Sequence, residues 1–234
     1  MQINTIITGD CREVLPTIPS NSFTLAFADP PYWVGFDYGD KTDEEMEYIE
    51  PEWLVNELCR IANVVMITSG IQQMYDYPKP KWIAIWHKPG AMGHNGLGGA
   101  CNWEPILVWG KGMLKNDYFR APIIPAREKD ATFHACPKPS NLMEQVLHWT
   151  TNPGDSVLDP TCGSGTTCKA AFQLGRNYLG IELDEKIAQQ ARKRLSSSQP
   201  PLLSVGHITT ACKGRATHGA TQPVLSNFGD VQSE

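Results

Sequence analysis

The sequence has no apolar run approaching the roughly 18 residues that a membrane span requires. Its opening, MQINTIITGD, lacks the basic flank and apolar stretch of a signal peptide. None of its seven cysteines (11, 59, 101, 136, 162, 168 and 212) stands in a CxxC pair, and the count is odd. That argues against a disulfide scaffold or a zinc ribbon, and for a reducing cytoplasmic setting without a metal. Positive charge is in short supply: 20 Lys+Arg face 25 Asp+Glu, a net charge of −5. Taken whole, that balance disfavours a nucleic-acid partner. No internal repeat is visible. What is present is 234 residues, 41% hydrophobic and 19% charged, enough chain for one domain with a buried core.

The charge is unevenly spread. Residues 1–78 carry 3 basic and 13 acidic side chains, residues 79–138 carry 9 and 4, and the rest carry 8 and 8. A basic middle segment suits a polyanion backbone, although an unevenly charged surface is the plainer reading of this feature alone. Short β-branched and aromatic runs at 3–8, 23–28, 64–68, 82–86, 106–109, 156–158 and 178–181 read as seven strands. Helical spacing appears over 51–62, 140–149 (with Ser140 as its cap), 166–174 and 184–195, the last closing on Arg192, Lys193 and Arg194. The alternation predicts an α/β fold with a mostly parallel sheet. Strands 82–86 and 106–109, with no helix between them, predict an antiparallel pair joined by a Gly-rich excursion. From Ser196 the periodicity stops, and residues 196–234 read as a flexible tail after a domain of residues 1–195.

The segment SVLDPTCGSGTTCKAAFQLGRNYLGIELD runs strand, acid (Asp159), glycine turn (Cys162, Gly163, Ser164, Gly165), helix from Thr166, strand, acid (Glu182). Glycines allow a ligand to approach the backbone, and an acid ending the second strand suits ribose hydroxyls. A P-loop would need Gly-Lys-Ser/Thr, but Thr166 follows Gly165. A dinucleotide site would prefer a third glycine, near where Cys168 and Lys169 stand. An S-adenosylmethionine site needs only two glycines, and an acid before the loop can face its cationic end. Upstream, FTLAFA runs directly into Asp29, Pro30, Pro31 and Tyr32. Two prolines end the strand and fix an extended turn. An acidic acceptor, an immobilised carbonyl and an aromatic face are what the exocyclic amine of a planar base requires. A rigid loop with a surface tyrosine is the alternative.

With both motifs in place, the chain resembles the S-adenosylmethionine-dependent DNA amino-methyltransferases of adenine N6 and cytosine N4, in the permuted group whose DPPY motif precedes the cofactor loop. The resemblance covers roughly residues 3–195. It is carried also by GDCREVLPTIPSNSFTLAFADPPY, Trp86-His87-Lys88-Pro89, Trp103-Glu104-Pro105 and HACPKPSNLMEQVL, where Ala135 replaces the family's usual proline. It implies a Rossmann-like methyltransferase fold with a seven-stranded sheet and one antiparallel strand. It further implies S-adenosylmethionine as cofactor, held at Asp10 and Cys11, at Lys138 and Ser140, at Asp159, Thr161, Cys162, Gly163, Ser164, Gly165 and Thr166, and at Glu182. Asp29, Pro30, Pro31 and Tyr32 would hold a base flipped from double-stranded DNA. Asp at the head of the motif goes more often with adenine N6, and cytosine N4 stays open. A carbon-5 mechanism is excluded because none of the 18 prolines is followed by cysteine. Methylation of RNA or of a protein amide, and a non-catalytic module of this fold, are the remaining alternatives; the intact motifs disfavour the last. Target recognition is expected from residues 90–101 and 111–133, with Lys88, His94, Lys115, Arg120 and Arg127 against DNA. Both segments are short, so either the recognition site is short or a homodimer spans the DNA. The setting implied is a bacterial cell or one infected by phage.

Overall fold

In this computed structural model, residues 2–35, 42, 44, 48–91, 93–123 and 137–198 are described. Arg127, His134 and the tail from 199 lie outside them. Ten strands and five α-helices follow in chain order: β1 (Thr5–Thr8), α1 (Cys11–Val14), β2 (Phe23–Ala28), α2 (Pro51–Ile61), β3 (Ala62–Thr68), β4 (Trp82–His87), β5 (Gly93–His94), β6 (Ala100–Cys101), β7 (Trp103–Gly110), β8 (Tyr118–Arg120), α3 (Ser140–Thr150), β9 (Ser156–Asp159), α4 (Thr166–Gln173), β10 (Asn177–Glu182) and α5 (Glu185–Ser196).

Eight strands form the main sheet in the order β1-β10-β9-β2-β3-β7-β4-β8, and β5 pairs separately with β6. Strand β7 runs antiparallel to both β3 and β4, so it alone opposes the common direction. All seven predicted strands are present, and so is the antiparallel β4–β7 pair with its Gly-rich excursion. The sheet differs from the expected seven strands by β8, a three-residue edge strand parallel to β4. Its Tyr-Phe-Arg is too short to carry an alternating pattern.

Helices cover both faces, as a parallel sheet buried on both sides requires. On one face, Leu142, Met143, Val146 and Leu147 of α3, Ala170 and Ala171 of α4 and Ala188 and Ala191 of α5 pack on Leu25, Phe27, Val64, Met66 and Val157. On the other, Leu54, Leu58 and Ile61 of α2 pack with Leu15 on Ala26, Val65, Ile67, Leu158 and Leu179. Helix α2 opens with Pro51, its Glu50 side chain accepting from the Glu52 and Trp53 N–H groups. Asp184 caps α5 in the same way. The expected Ser140 cap is corrected: Pro139 holds the cap position of α3 without a side-chain bond, and Ser140 is the first helical residue.

The expected basic end of α5 is present, with Lys193 and Arg194 in its last turn, and its arginines also make specific bonds. Arg192 donates to the Ile6 carbonyl (3.0 Å) and the Thr8 hydroxyl (3.1 Å), and Arg194 to the Ser164 carbonyl (3.0 Å) and the Thr166 hydroxyl (3.3 Å). These arginines tie α5 to β1 and to the glycine loop rather than only complementing the helix dipole.

Gly165 caps α4 at φ 73°, where a Cβ would lie 3.2 Å from Ile6 Cδ1 and Leu195 Cδ1 and 3.3 Å from Ala191 Cβ. Gly175 has the same φ, but its nearest contact would be Pro153 Cβ at 3.9 Å. Gly175→Ala should therefore cost only the left-handed strain, about 1–2 kcal/mol. Gly165→Ala should cost about 1 kcal/mol more through crowding. Urea unfolding of the two variants checks the ordering.

Candidate active site

Strand β2 turns to β3 on one side, while its other neighbour is β9, followed outward by β10 and β1. This is the switch point of the sheet, where the carboxyl ends of strands leave a crevice. Pairing of Ala26 with Leu158 brings the two motifs side by side although they are far apart in sequence. The Asp29 N–H donates to the Thr161 hydroxyl at 3.1 Å, joining the Asp-Pro-Pro-Tyr turn directly to the glycine turn.

On the glycine side, Gly163 (φ 48°) donates its N–H to Glu182 Oε2 at 2.8 Å, and Asp184 N–H bonds Glu182 Oε1 at 3.0 Å. Thr8 pairs with Glu182 across β1–β10, so Gly9 and Asp10 emerge beside that carboxylate. Asp10 caps α1 and is gripped by Arg12, whose guanidinium holds its carboxyl below the usual range. Asp159 is buried at the end of β9. Burial pushes its pKa up to about 7, against the bonds from the Thr167 hydroxyl and Thr161 N–H, and the Asp29 and Glu182 carboxylates raise it further. Glu182 is raised as well, first by burial. Crowded carboxylates of this kind are eased by a positively charged ligand. The cradle therefore fits a cationic, ribose-bearing group, with Gly163 presenting backbone rather than side chain and Gly165 packed closely against β1 and α5.

Other expected cofactor residues fall in different surroundings. Cys11 packs in the core, where burial pushes its thiol up to about 12. Cys162 is buried against Cys168, each sulfur within 3 Å of where a Cβ on Gly180 would stand. The Ser164 and Thr166 hydroxyls bond each other at 3.1 Å and are reached by Arg194. These side chains are engaged within the protein, where Cys11 packs in the core and Ser164 shapes the glycine loop. Thr161 stands at the crevice, and Ser140 is half-buried at the start of α3.

On the Asp-Pro-Pro-Tyr side, Pro30 is buried, Pro31 half-buried, and Trp33 at φ 50° turns the chain after Tyr32. Three donors converge on Asp29 Oδ1: the Thr68 hydroxyl, the Tyr32 hydroxyl at 3.2 Å and Lys138 Nζ at 2.7 Å. The Tyr32 hydroxyl lies closer still to Glu104 Oε1. Burial, then the Asp29 and Glu104 carboxylates, push the Tyr32 phenol well above its ordinary value, so it serves as a neutral donor. Glu104, buried on β7, is held by Lys88 Nζ at 2.8 Å, and Lys138 Nζ is 3.9 Å from its other oxygen. Both lysines flank Trp86, at 5.2 and 5.5 Å from its ring.

Thr68, Trp86 and Glu104 were not among the expected site residues, although Trp86 and Glu104 sit in segments that carried the resemblance. Lys138, expected beside the cofactor, is placed on Asp29. Lys88, expected on DNA, is an internal counter-ion of Glu104. Exposed His94 (β5) and Arg120 (β8) lie toward the carboxyl ends of β4 and β8, the end that bears Asp29. Lys115, expected against DNA, precedes β8 and, with Lys81, Trp82 and Gly110, lines a 450 Å³ pocket at the opposite end of the sheet. Among the described residues, no cluster of three or more His, Cys, Asp or Glu could hold a metal. No described helix is long and apolar enough to cross a membrane.

A family model described as DNA methylase matches residues 107–193. The chain is 30% identical over 217 residues to the putative methylase YubD of Escherichia coli K12, covering 82% of this chain and 90% of that protein. It is 28% identical over 254 residues to the type II methyltransferase M.HinfI of Haemophilus influenzae, covering 85% and 70%. The solved M1.HpyAVI–SAM complex superposes with a TM-score of 0.60 at 24% identity, covering 82% of this chain and 99% of that one.

Asp159 gives a pH test. Its folded pKa of about 7 lies above the reference 3.8, so between these values the folded state binds more protons and its stability falls as pH rises. The urea midpoint of wild type relative to Asp159→Asn should fall from pH 5 to pH 8. A pH-independent difference would show that Asp159 is ionised throughout.

Proposed function

This chain belongs to the DNA methylase family of adenine-N6 and cytosine-N4 amino-methyltransferases, and from that premise we propose that it methylates adenine N6 at a specific site in double-stranded DNA, in a bacterial or phage-infected cytoplasm. The observation that carries the reading is Asp29, a carboxylate at the switch point whose backbone is tied to the glycine turn and whose side chain is buttressed by Thr68 and Tyr32. S-adenosylmethionine, the family's cofactor, supplies an electrophilic methyl group on a cationic sulfonium. Its fit rests on the carboxylate-rich cradle: Glu182 for ribose hydroxyls, Asp159 for the positive charge, and the Gly163 backbone for close approach.

In this reading the chain's groups act by position and charge. A target base is flipped from the duplex, because a stacked amine cannot reach the crevice. Asp29 and the Pro30 carbonyl accept the two amine protons and so aim the nitrogen lone pair at the methyl. The N–C bond forms as the S–C bond breaks, its electron pair returning to sulfur. The positive charge moves to the amine, and one proton then leaves past Asp29 to water. The Tyr32 ring, fixed through its hydroxyl, supplies the stacking face. Asp at the head of the motif favours adenine, and cytosine N4 is the second reading. His94 and Arg120 are the proposed DNA contacts at the catalytic end, with residues 90–101 as the candidate recognition segment. A chain this short can read a longer site as a homodimer.

Asp29→Ala should lower methyl transfer by at least about 10²-fold while cofactor still binds, measured with radiolabelled cofactor and duplex DNA from a methylase-deficient host. Nucleoside mass spectrometry of DNA from expressing cells should show N6-methyladenine; N4-methylcytosine instead would establish the second reading.

A further inference from the structure

The acceptor that a target amine needs is already engaged. Lys138 Nζ lies 2.7 Å from Asp29 Oδ1 and over the Tyr32 ring, 5.7 Å from its centroid. An ammonium on the acid and against the ring stands where the base amine and the base plane are required. A second carboxylate is within short reach, since Glu104 Oε1 is 3.9 Å from the same Nζ. Glu104 is buried, its other oxygen is paired with Lys88, and it accepts from the Tyr32 hydroxyl.

We propose that Lys138 is a resident stand-in for the target amine, which closes the base site when it is empty and passes from Asp29 to Glu104 when a flipped base enters. The proposal rests on the methyltransferase reading above and assigns Lys138 and Glu104 new roles within that site. Charge supplies the reason for the transfer. During methylation positive charge grows on the amine nitrogen, and an ammonium left on Asp29 would oppose it while occupying the group that should stabilise it. A shift of one to two ångströms onto Glu104 frees Asp29 and keeps the ammonium paired, so no buried charge is stranded. Lys88 holds Glu104 in place through its other oxygen. Tyr32 shares its hydroxyl between the two carboxylates and so remains fixed through the exchange. Glu104 is accordingly a positioning residue, acting through Lys138 and Tyr32.

The test is a double-mutant cycle on full-length protein, read by single-turnover methyl transfer to duplex DNA bearing the site that methylation-aware sequencing identifies. Glu104→Gln removes the receiving charge, leaves the ammonium on Asp29, and should slow transfer about tenfold or more. Adding Lys138→Met to that variant should restore the rate to within about threefold of wild type, because no cation then occupies Asp29. Lys138→Met alone should lower the KM for DNA, since the base amine no longer competes with an ammonium for Asp29. A double variant as slow as Glu104→Gln, or slower, overturns the proposal, because purely structural roles would add rather than cancel. Should Glu104→Gln fail to fold by thermal melting, Lys138→Met alone decides: a raised KM for DNA overturns the stand-in role. Wild-type protein that methylates no DNA overturns the functional reading itself, whereas an active wild type without rescue overturns only the exchange.

Discussion

The parallel pairing of β2 with β9 is the contact on which the site depends. Each strand ends in an acid, Asp29 and Asp159, and the pairing of Ala26 with Leu158 delivers both to one end of the sheet. Neither motif is a site alone. The glycine turn needs a neighbour to aim at, and the Asp-Pro-Pro-Tyr turn needs something to hold its backbone; the Asp29 N–H to Thr161 bond meets both needs. The pairing survives because both strands are apolar on both faces, Leu25, Ala26, Val157 and Leu158 all being buried. A slip by one residue would keep the burial but would move Asp29 by about 3.3 Å along the strand and turn it to the other face.

Gathering carboxylates at this end has an electrostatic cost, and the structure meets it differently on its two sides. Beside Tyr32 the countercharge is internal: Lys138 and Lys88 neutralise Asp29 and Glu104 at salt-bridge distance. Beside the glycine turn, Asp159 and Glu182 are relieved by backbone and hydroxyl donors, and burial still raises both. One half of the crevice therefore carries its own cations and the other receives one. That division agrees with a cationic methyl donor on the glycine side and a neutral base on the other.

Most of the fold was legible because its signals are local. β-branched runs between turn residues marked the seven long strands, and the missing helix between residues 86 and 106 marked the antiparallel pair. Strand β8 was not legible, since three residues have no period. The two motifs were legible as chemistry, but the groups supporting them were not. Glu104 lies in a run of buried residues on β7 and reads as a tolerated polar residue until the fold sets it against Tyr32. Arg194 reads as a helix-end charge until α5 packs under the glycine loop. Sequence order orders residues along an element, whereas side-chain partners 72 positions apart, as Tyr32 and Glu104 are, follow from the register of several strands at once.

The charge distribution carries the same lesson further. Dividing the net −5 along the chain exposed a basic segment at residues 79–138, and its coincidence with the long connections suggested one DNA-facing surface. A segment that runs up β4, down β7 and up β8 visits both ends of the sheet. Lys81, Lys111 and Lys115 accordingly lie near the amino ends of β3 and β4, about a strand length from Asp29, or ~17–20 Å. Lys88 and Lys138 are inside the site, bound to carboxylates. At the catalytic end, the described part of the segment leaves Arg120 and His94 exposed. A strand reverses direction every few residues in an antiparallel pair, so a charge average taken along the chain mixes opposite ends of the molecule. The direction of each strand is what separates basic residues at the Asp29 end from those at the opposite end.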